Sequence, residues 1–356
     1  MLARIAVVPR ARPIGRCPAT AAACGTDDGG LGHSFLEKLE LGALRKQHAQ
    51  QPAFGAASFR STVALDYGRA TPGTLRLFRK QESLRQATAA AKRLATEGVS
   101  FRALSQAEVV ELEPALQPIA DRLCGALHYS TDETGDAYRF CVALAQEAQR
   151  LGVDFRFGTT VTSLELRSGR MEAVVSENER FSGDCYVMAA GSYSPLLPRQ
   201  AGVQIPVHPA KGYSITIDNG AGHIQLKTPV VDDDWHAAVV PLPSVIRVAG
   251  TAEFTGYDRS IAPERVDNLI KLFREVLPST PLDPTKIKSW CGLRPMSADG
   301  VPIIGPTPIP NLLLNTGHGH LGWTMAAGSA HLLMELISGN KPAIDPAPYL
   351  LKRFHG

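Results

Sequence analysis

Nothing in this 356-residue chain approaches the ~18 consecutive apolar residues of a membrane-spanning helix. Its N-terminus carries arginines but lacks the apolar core of a secretory signal, so a cytoplasmic location is expected. The six cysteines (Cys17, Cys24, Cys124, Cys141, Cys185, Cys291) form no C-x-x-C pair, which points to free thiols in a reducing compartment rather than to a disulfide frame or zinc site. The formal charge of +3 is small and dispersed, so no nucleic-acid footprint is present. Neither G-x-S-x-G nor an ordered Ser-His-Asp set occurs, which sets hydrolase chemistry aside. One acidic run, Thr131 to Asp136, has no second cluster to complete a metal site. It reads better as the capped start of a helix, with acidic residues at the positive end. No internal repeat or low-complexity tract occurs.

What the chain does contain is ordinary for a soluble globular protein, 44% hydrophobic and 20% charged, of a length that suggests about two domains. Residues 1–60 are atypical. A possible strand lies in MLARIAVV and an amphipathic helix fits 35–47, but the intervening Gly/Pro/Ala-rich stretch has no period and is expected to be poorly ordered. From residue 65 the texture changes. Strands are expected at 74–79, 99–104, 123–129, 154–157, 160–166, 171–176 and 181–190, with a tight turn at Ser168-Gly169. Helices fit 83–97, 137–151 and the segment that Ser105 opens with Glu108 in capping-box position. Antiparallel signals follow at 205–217, 239–248, 250–254 and 286–293, interrupted by a helix over 263–276.

The densest pattern is 311–339, NLLLNTGHGHLGWTMAAGSAHLLMELISG. A buried strand (Leu312 to Leu314), a glycine turn (Gly317, Gly319, Gly322) and a helix over 323–337 follow in order. Free N–H groups and a positive dipole end at such a helix start suit an electron-rich ligand. The glycines spell G-x-G-x-x-G. Only 34 residues follow Gly322, however, and no strand carries an acidic residue after it, so a stand-alone dinucleotide unit cannot fit. The turn either packs strand against helix or completes a ligand site built elsewhere. Flanking His318, His320 and Trp323 favour the ligand. Arg294, directly after a buried strand and fixed by Pro295, suits either a planar carboxylate anchor or a structural ion pair. In the alternating strand Lys211-Gly212-Tyr213, the lysine reads as a solvated face residue and the tyrosine as core.

Four phrases taken together, MAAGSYSPLLP, IPVHPAKGYSITI, CGLRPMSADGVPIIGPT and NLLLNTGHGHLGWTMAAGSAHLL, resemble the small-subunit-type bacterial D-amino acid dehydrogenases. These belong to the FAD-dependent D-amino acid oxidase and glycine oxidase group. The resemblance runs from about residue 65 to 342. It implies an α/β fold: a Rossmann-like FAD-binding domain (130–200 with 296–345) and an α+β substrate domain built on an antiparallel sheet (65–129 with 201–295). It implies oxidative deamination of D-amino acids, by hydride transfer from the substrate Cα to flavin N5. The acceptor would be a quinone, reached by peripheral association with the inner face of the plasma membrane.

Val161 would lie by the adenine end of the FAD, and Ala190 and Gly191 beside the cofactor. Gly317, His318, Gly319, His320, Leu321, Gly322 and Trp323 would wrap the isoalloxazine ring. Arg294 would bind the substrate carboxylate, Tyr213 would border the substrate pocket and Lys211 the flavin. Family members also begin with a strand, G-x-G-x-x-G and helix, which residues 1–60 do not match. The FAD domain is therefore expected to be incomplete, with its pyrophosphate cradle missing. The alternative function is a truncated, non-catalytic remnant of such a flavoenzyme.

Overall fold

The computed structural model describes residues 5–8, 63–96, 98–220 and 222–354. The expected helix over 35–47, and the question of an incomplete FAD domain, lie outside these residues. Strand β1 (Ile5–Val8) is followed by β2 (Thr74–Phe78), α1 (Gln81–Ala95), β3 (Arg102–Leu104), α2 (Gln106–Leu112), β4 (Gly125–Tyr129) and α3 (Ala137–Arg150). A meander, β5 (Val161–Arg167), β6 (Arg170–Ser176) and β7 (Arg180–Phe181), leads into β8 (Cys185–Met188). Then come β9 (Val207–Asp218), β10 (Val230–Asp232), β11 (Ala237–Leu242), β12 (Val245–Glu253), α4 (Pro263–Val276), β13 (Ile287–Ser297), β14 (Ile303–Pro306), β15 (Leu312–Thr316) and α5 (Gly322–Ile337).

Local chemistry explains many boundaries. Ser105 caps α2 in a reciprocal capping box with Glu108, and the Asp136 carboxylate accepts from Arg139 N–H to open α3. Ser168 and Gly169 both take positive φ (51° and 76°), as a two-residue hairpin turn requires. Three expectations need correction. The span 239–248 is not one strand, because Pro243 and Ser244 (φ 82°) turn the chain between β11 and β12. Residues 154–157 form no strand. Phe155 and Phe157 stack on each other at 5.3 Å instead of entering a ladder. Residues 181–190 yield only β7 and the short β8, separated by the Ser182-Gly183 break.

The described residues form three sheets. Strands β13-β9-β12-β11-β10-β2-β4-β3 form an eight-stranded sheet, antiparallel except where β10 meets β2. One of its faces packs on α4: Tyr213, Ile215 and Ile217 join Leu269, Leu272, Phe273 and Val276 in the largest core. The second sheet, β1-β8-β15-β14, is mixed, with β15 parallel to β8 and β1 antiparallel to it. Strands β8 and β15 are buried on both sides, which is why 312–314 reads as a continuous apolar run. Val187, Ile304 and Leu313 face α5, while Met188, Leu312 and Leu314 face the small β5-β6-β7 sheet.

Candidate active site

The adjacent parallel strands β8 and β15 are each followed by a glycine of positive φ, Gly191 (56°) three residues past β8 and Gly317 (78°) directly after β15. Thr316 ties the two ends together. Its hydroxyl donates to the Gly191 carbonyl (3.0 Å) and accepts from Ser194 Oγ (2.9 Å). The C-terminal ends of parallel strands are where open α/β sheets bind ligands. From Gly317 the chain runs through Gly319 (φ 57°) into α5, whose preceding residue, Leu321, supplies no side-chain cap. A 16-residue helix therefore points its positive end here, with no side-chain cap from its N-cap residue.

The glycines differ in purpose. A Cβ at Gly317 would come within 3.2 Å of Ser297 Cβ, and one at Gly319 within 3.1 Å of Met296 Sδ. These two let the loop lie against the end of β13, an approach fixed by Gly319 N–H donating to the Pro295 carbonyl (2.9 Å) and by a bridge between Met296 and His318. Among the described residues, an added Cβ at Gly191 would meet nothing within 4 Å, and one at Gly322 only His318 Cβ at 3.6 Å. Those two positions border open space.

That β13 terminus carries Arg294, 3% exposed. Arg294 pairs with Ala210 across β9, and its guanidinium lies flat over Gly212, where an added Cβ would come within 2.2 Å of Nη2. Nη1 donates to the Thr251 carbonyl at 2.9 Å. Thr251 sits in a bulge of β12, where the register slips between Gly250 and Glu253, and it is held at φ 67°. That left-handed conformation costs a β-branched residue on the order of 1–3 kcal/mol. His320 is close enough to feel the Arg294 charge. Burial first, and that cation second, push its imidazole down to about 4. Burial alone takes His318 to about 4, with Nε2 3.0 Å from Ser329 Oγ on α5. Both rings are therefore neutral at pH 7.

The residues singled out in the sequence thus fall into groups. Gly191, Gly317, Gly319, His320, Leu321, Gly322 and Arg294 surround one region. Ala190 and Val161 pack in the hydrophobic cluster behind β8. His318 locks the loop onto α5. The Trp323 ring turns toward Tyr67 (6.0 Å) and Phe140 (5.8 Å), linking α5 to α3. Lys211 and Tyr213 point to the opposite face of β9 from Arg294. There Lys211 Nζ bonds Asp258 (2.9 Å) and the Ser260 carbonyl (3.1 Å), and the Tyr213 hydroxyl donates to Glu253 Oε2 at 2.6 Å. Lys211 is therefore buried and paired rather than a solvated face residue. Sequence reasoning missed Gly212 and Thr251. The glycine between Lys211 and Tyr213 in an otherwise well-filled strand was the available signal for close approach; the bulge had none.

The FAD-dependent oxidoreductase family typified by D-amino acid oxidase matches residues 11–336. The chain belongs to this family. The match begins well before residue 65, where the resemblance in the sequence starts. A protein of Rhizobium johnstonii named D-amino acid dehydrogenase is 40% identical over 298 residues, 84% of this chain and 71% of that one. A namesake from Chromohalobacter salexigens is 40% identical over 302 residues, with 83% and 71% covered. Glycine oxidase from Geobacillus kaustophilus superposes with a TM-score of 0.75 at 23% identity, covering 87% of this chain and 82% of its own. L-proline dehydrogenase from P. horikoshii gives 0.78 at 18% identity, covering 92% and 86%. The last two establish the fold: a mixed α/β flavoenzyme fold with largely antiparallel sheets.

The cofactor of this family is FAD, and the residues present fit it. Open space beside Gly191 and Gly322 and an uncapped helix start supply room and N–H donors for an electron-rich ring edge. No helix among the described residues is long and apolar enough to cross a membrane.

Proposed function

We propose that the chain oxidatively deaminates D-amino acids, with Arg294 holding the substrate carboxylate. The observation that carries this is a buried guanidinium spread over Gly212 beside the loop that leads into the uncapped start of α5. Bound FAD would accept the hydride from the substrate Cα, and the negative charge so generated favours a helix N-terminus nearby. The protein's own work is positional. Arg294 fixes the carboxylate bidentately, Gly191 and Gly322 leave the ring unobstructed, and the neutral His320 imidazole adds no second cation beside Arg294. The imino acid released then hydrolyses to a 2-oxo acid and ammonia. The D-amino acid preference is taken from the relatives' names, and a quinone acceptor from the resemblance to the dehydrogenases. The division into an FAD-binding domain around β8, β14 and β15 and a substrate domain on the eight-stranded sheet accords with this chemistry.

The test is direct. Purified protein is expected to show flavin absorbance that bleaches on addition of D-alanine, and to reduce a soluble quinone in preference to oxygen. Absence of flavin bands after reconstitution with FAD, or of bleaching by any D-amino acid, would refute the proposal. Arg294→Ala is expected to raise KM for D-alanine with flavin content unchanged.

A further inference from the structure

We infer that the β12 bulge is a positioning device for Arg294, set from the far face of the sheet by Tyr213 and Glu253. This inference rests on Arg294 acting on the substrate carboxylate. The chain of contacts is continuous. Thr251 presents its carbonyl to Arg294 Nη1 at 2.9 Å, and it can do so only because the bulge turns its backbone to φ 67°. Two residues on, Glu253 re-enters the ladder opposite Lys211. Its carboxylate is clamped by Tyr213 Oη (2.6 Å) and Arg265 Nε (2.7 Å), with Lys211 Nζ at 3.6 Å. Tyr213 lies in the core against α4, and Arg265 is on α4 itself. The bulge is thereby anchored to a helix on the face away from the substrate, and an otherwise unfavourable backbone conformation is kept in place. Gly212 completes the device by leaving the guanidinium a flat seat.

Tyr213 and Glu253 are positioning residues in this scheme. Each touches neither substrate nor cofactor, and each acts through the angle at which Arg294 meets a planar carboxylate. Loosening the clamp should weaken ground-state binding while leaving the flavin and the hydride step in place.

The experiment uses flavin-loaded enzyme, D-alanine and a soluble quinone, with Tyr213→Phe, Glu253→Gln, the double variant, and each single change placed in Arg294→Ala. Tyr213→Phe keeps the ring packed and removes only the hydroxyl bond. It and Glu253→Gln are each expected to raise KM by about tenfold, the order lost with one charge-assisted hydrogen bond. Flavin absorbance should be unaltered and kcat nearly so. The double variant should be no worse than the worse single. In Arg294→Ala neither change should raise KM further. A purely structural role for the clamp would lower melting temperature and active fraction and leave KM alone, which would overturn the inference. A Tyr213→Phe effect that persists in Arg294→Ala would overturn it too, by showing a direct route to substrate. If Arg294→Ala itself leaves KM unchanged, the carboxylate role of Arg294 fails first, a result distinct from either.

Discussion

The ribbon of β9 and β13 has two faces that use cationic side chains in opposite ways. On the α4 face, Lys211 is enclosed by Asp258 and Glu253, and its charge is answered where it sits. On the other face, Arg294 is oriented by a backbone carbonyl and rests on a bare glycine, and its charge is felt across the gap by His320. A buried cation held by carboxylates is part of the scaffold. The proposed carboxylate role falls to the cation on the glycine-loop side of the sheet. Burial is nearly the same for both, 2% and 3% exposed, so exposure would not have told them apart.

The sharpest way to break this contrast is Gly212→Ala. The new Cβ would come within 2.2–2.6 Å of the guanidinium atoms, so Arg294 must leave its seat. A displaced carboxylate anchor is expected to cost about a hundredfold in kcat/KM for D-alanine, in the range for misplacing a binding group. Flavin content should hold. A kinetically silent Gly212→Ala would mean that Arg294 does not work from the position it occupies.

Gly191→Ala sharpens the contrast from the cofactor side. The methyl would meet no atom of the described residues within 4 Å, so against these the substitution carries only the left-handed φ penalty of about 1 kcal/mol. If the open space is where the flavin lies, FAD affinity should fall by more than the roughly fivefold that this penalty alone explains. Titrating apoprotein with FAD and following the flavin fluorescence checks it. An unchanged Kd would move the cofactor away from the end of β8.

Much of this was legible in the sequence, and the remainder has physical reasons for being hidden. The strand–glycine–helix run at 311–339 declared itself because a doubly buried strand, a positive-φ turn and an apolar helix each leave a local pattern. Arg294 stood out through its place between a buried strand and Pro295. The opposite orientations of Lys211 and Arg294 were not readable. Facing depends on the β13–β9 pairing register, which sets Leu293 opposite Lys211 and Arg294 opposite Ala210, and that register is not written in either strand alone. Nor could the sequence show that Gly317 and Gly319 serve packing against Ser297 and Met296 while Gly191 and Gly322 border open space, since all four are glycines beside a turn or helix start.

A milder change on the scaffold face is Lys211→Met. It should lower the melting temperature at neutral pH while moving KM by less than about twofold, because Lys211 hydrogen-bonds Asp258 and the Ser260 carbonyl, whereas Tyr213 and Arg265 hold the Glu253 carboxylate. The hydrogen bond from Lys211 holds the Asp258 carboxyl far below its usual range, and Asp258 in turn raises the Lys211 ammonium. The pair's contribution is therefore complete between the two unfolded values. It fades as pH falls below about 3.9 or rises above about 10.5. The melting-temperature gap between wild type and variant should be flat through the middle of the pH scale and narrow at both extremes. A KM shift as large as that of Gly212→Ala would erase the distinction between the faces.

The smallest effect belongs to the glycine loop and falls in a different pH window. His318 and His320 are held near 4 in the folded protein, mainly by burial, against about 6.5 when unfolded. Between those values the unfolded chain binds more protons, so stability rises with pH there and is lost as pH falls from about 6.5 toward about 4. Apoprotein should thus melt several degrees lower at pH 5 than at pH 7. His320→Gln should remove part of that slope while leaving the alkaline behaviour set by Lys211 intact. Because the scaffold pair does not titrate between pH 4 and 6.5, the part of the loss that His320→Gln removes is independent of that pair. FAD that binds against this loop only when it is correctly folded should steepen the loss, since protonation would then release both imidazole packing and ligand. Melting curves of apoprotein and FAD-saturated protein at pH 5 and pH 7 decide it: parallel slopes would separate the histidine loop from the cofactor.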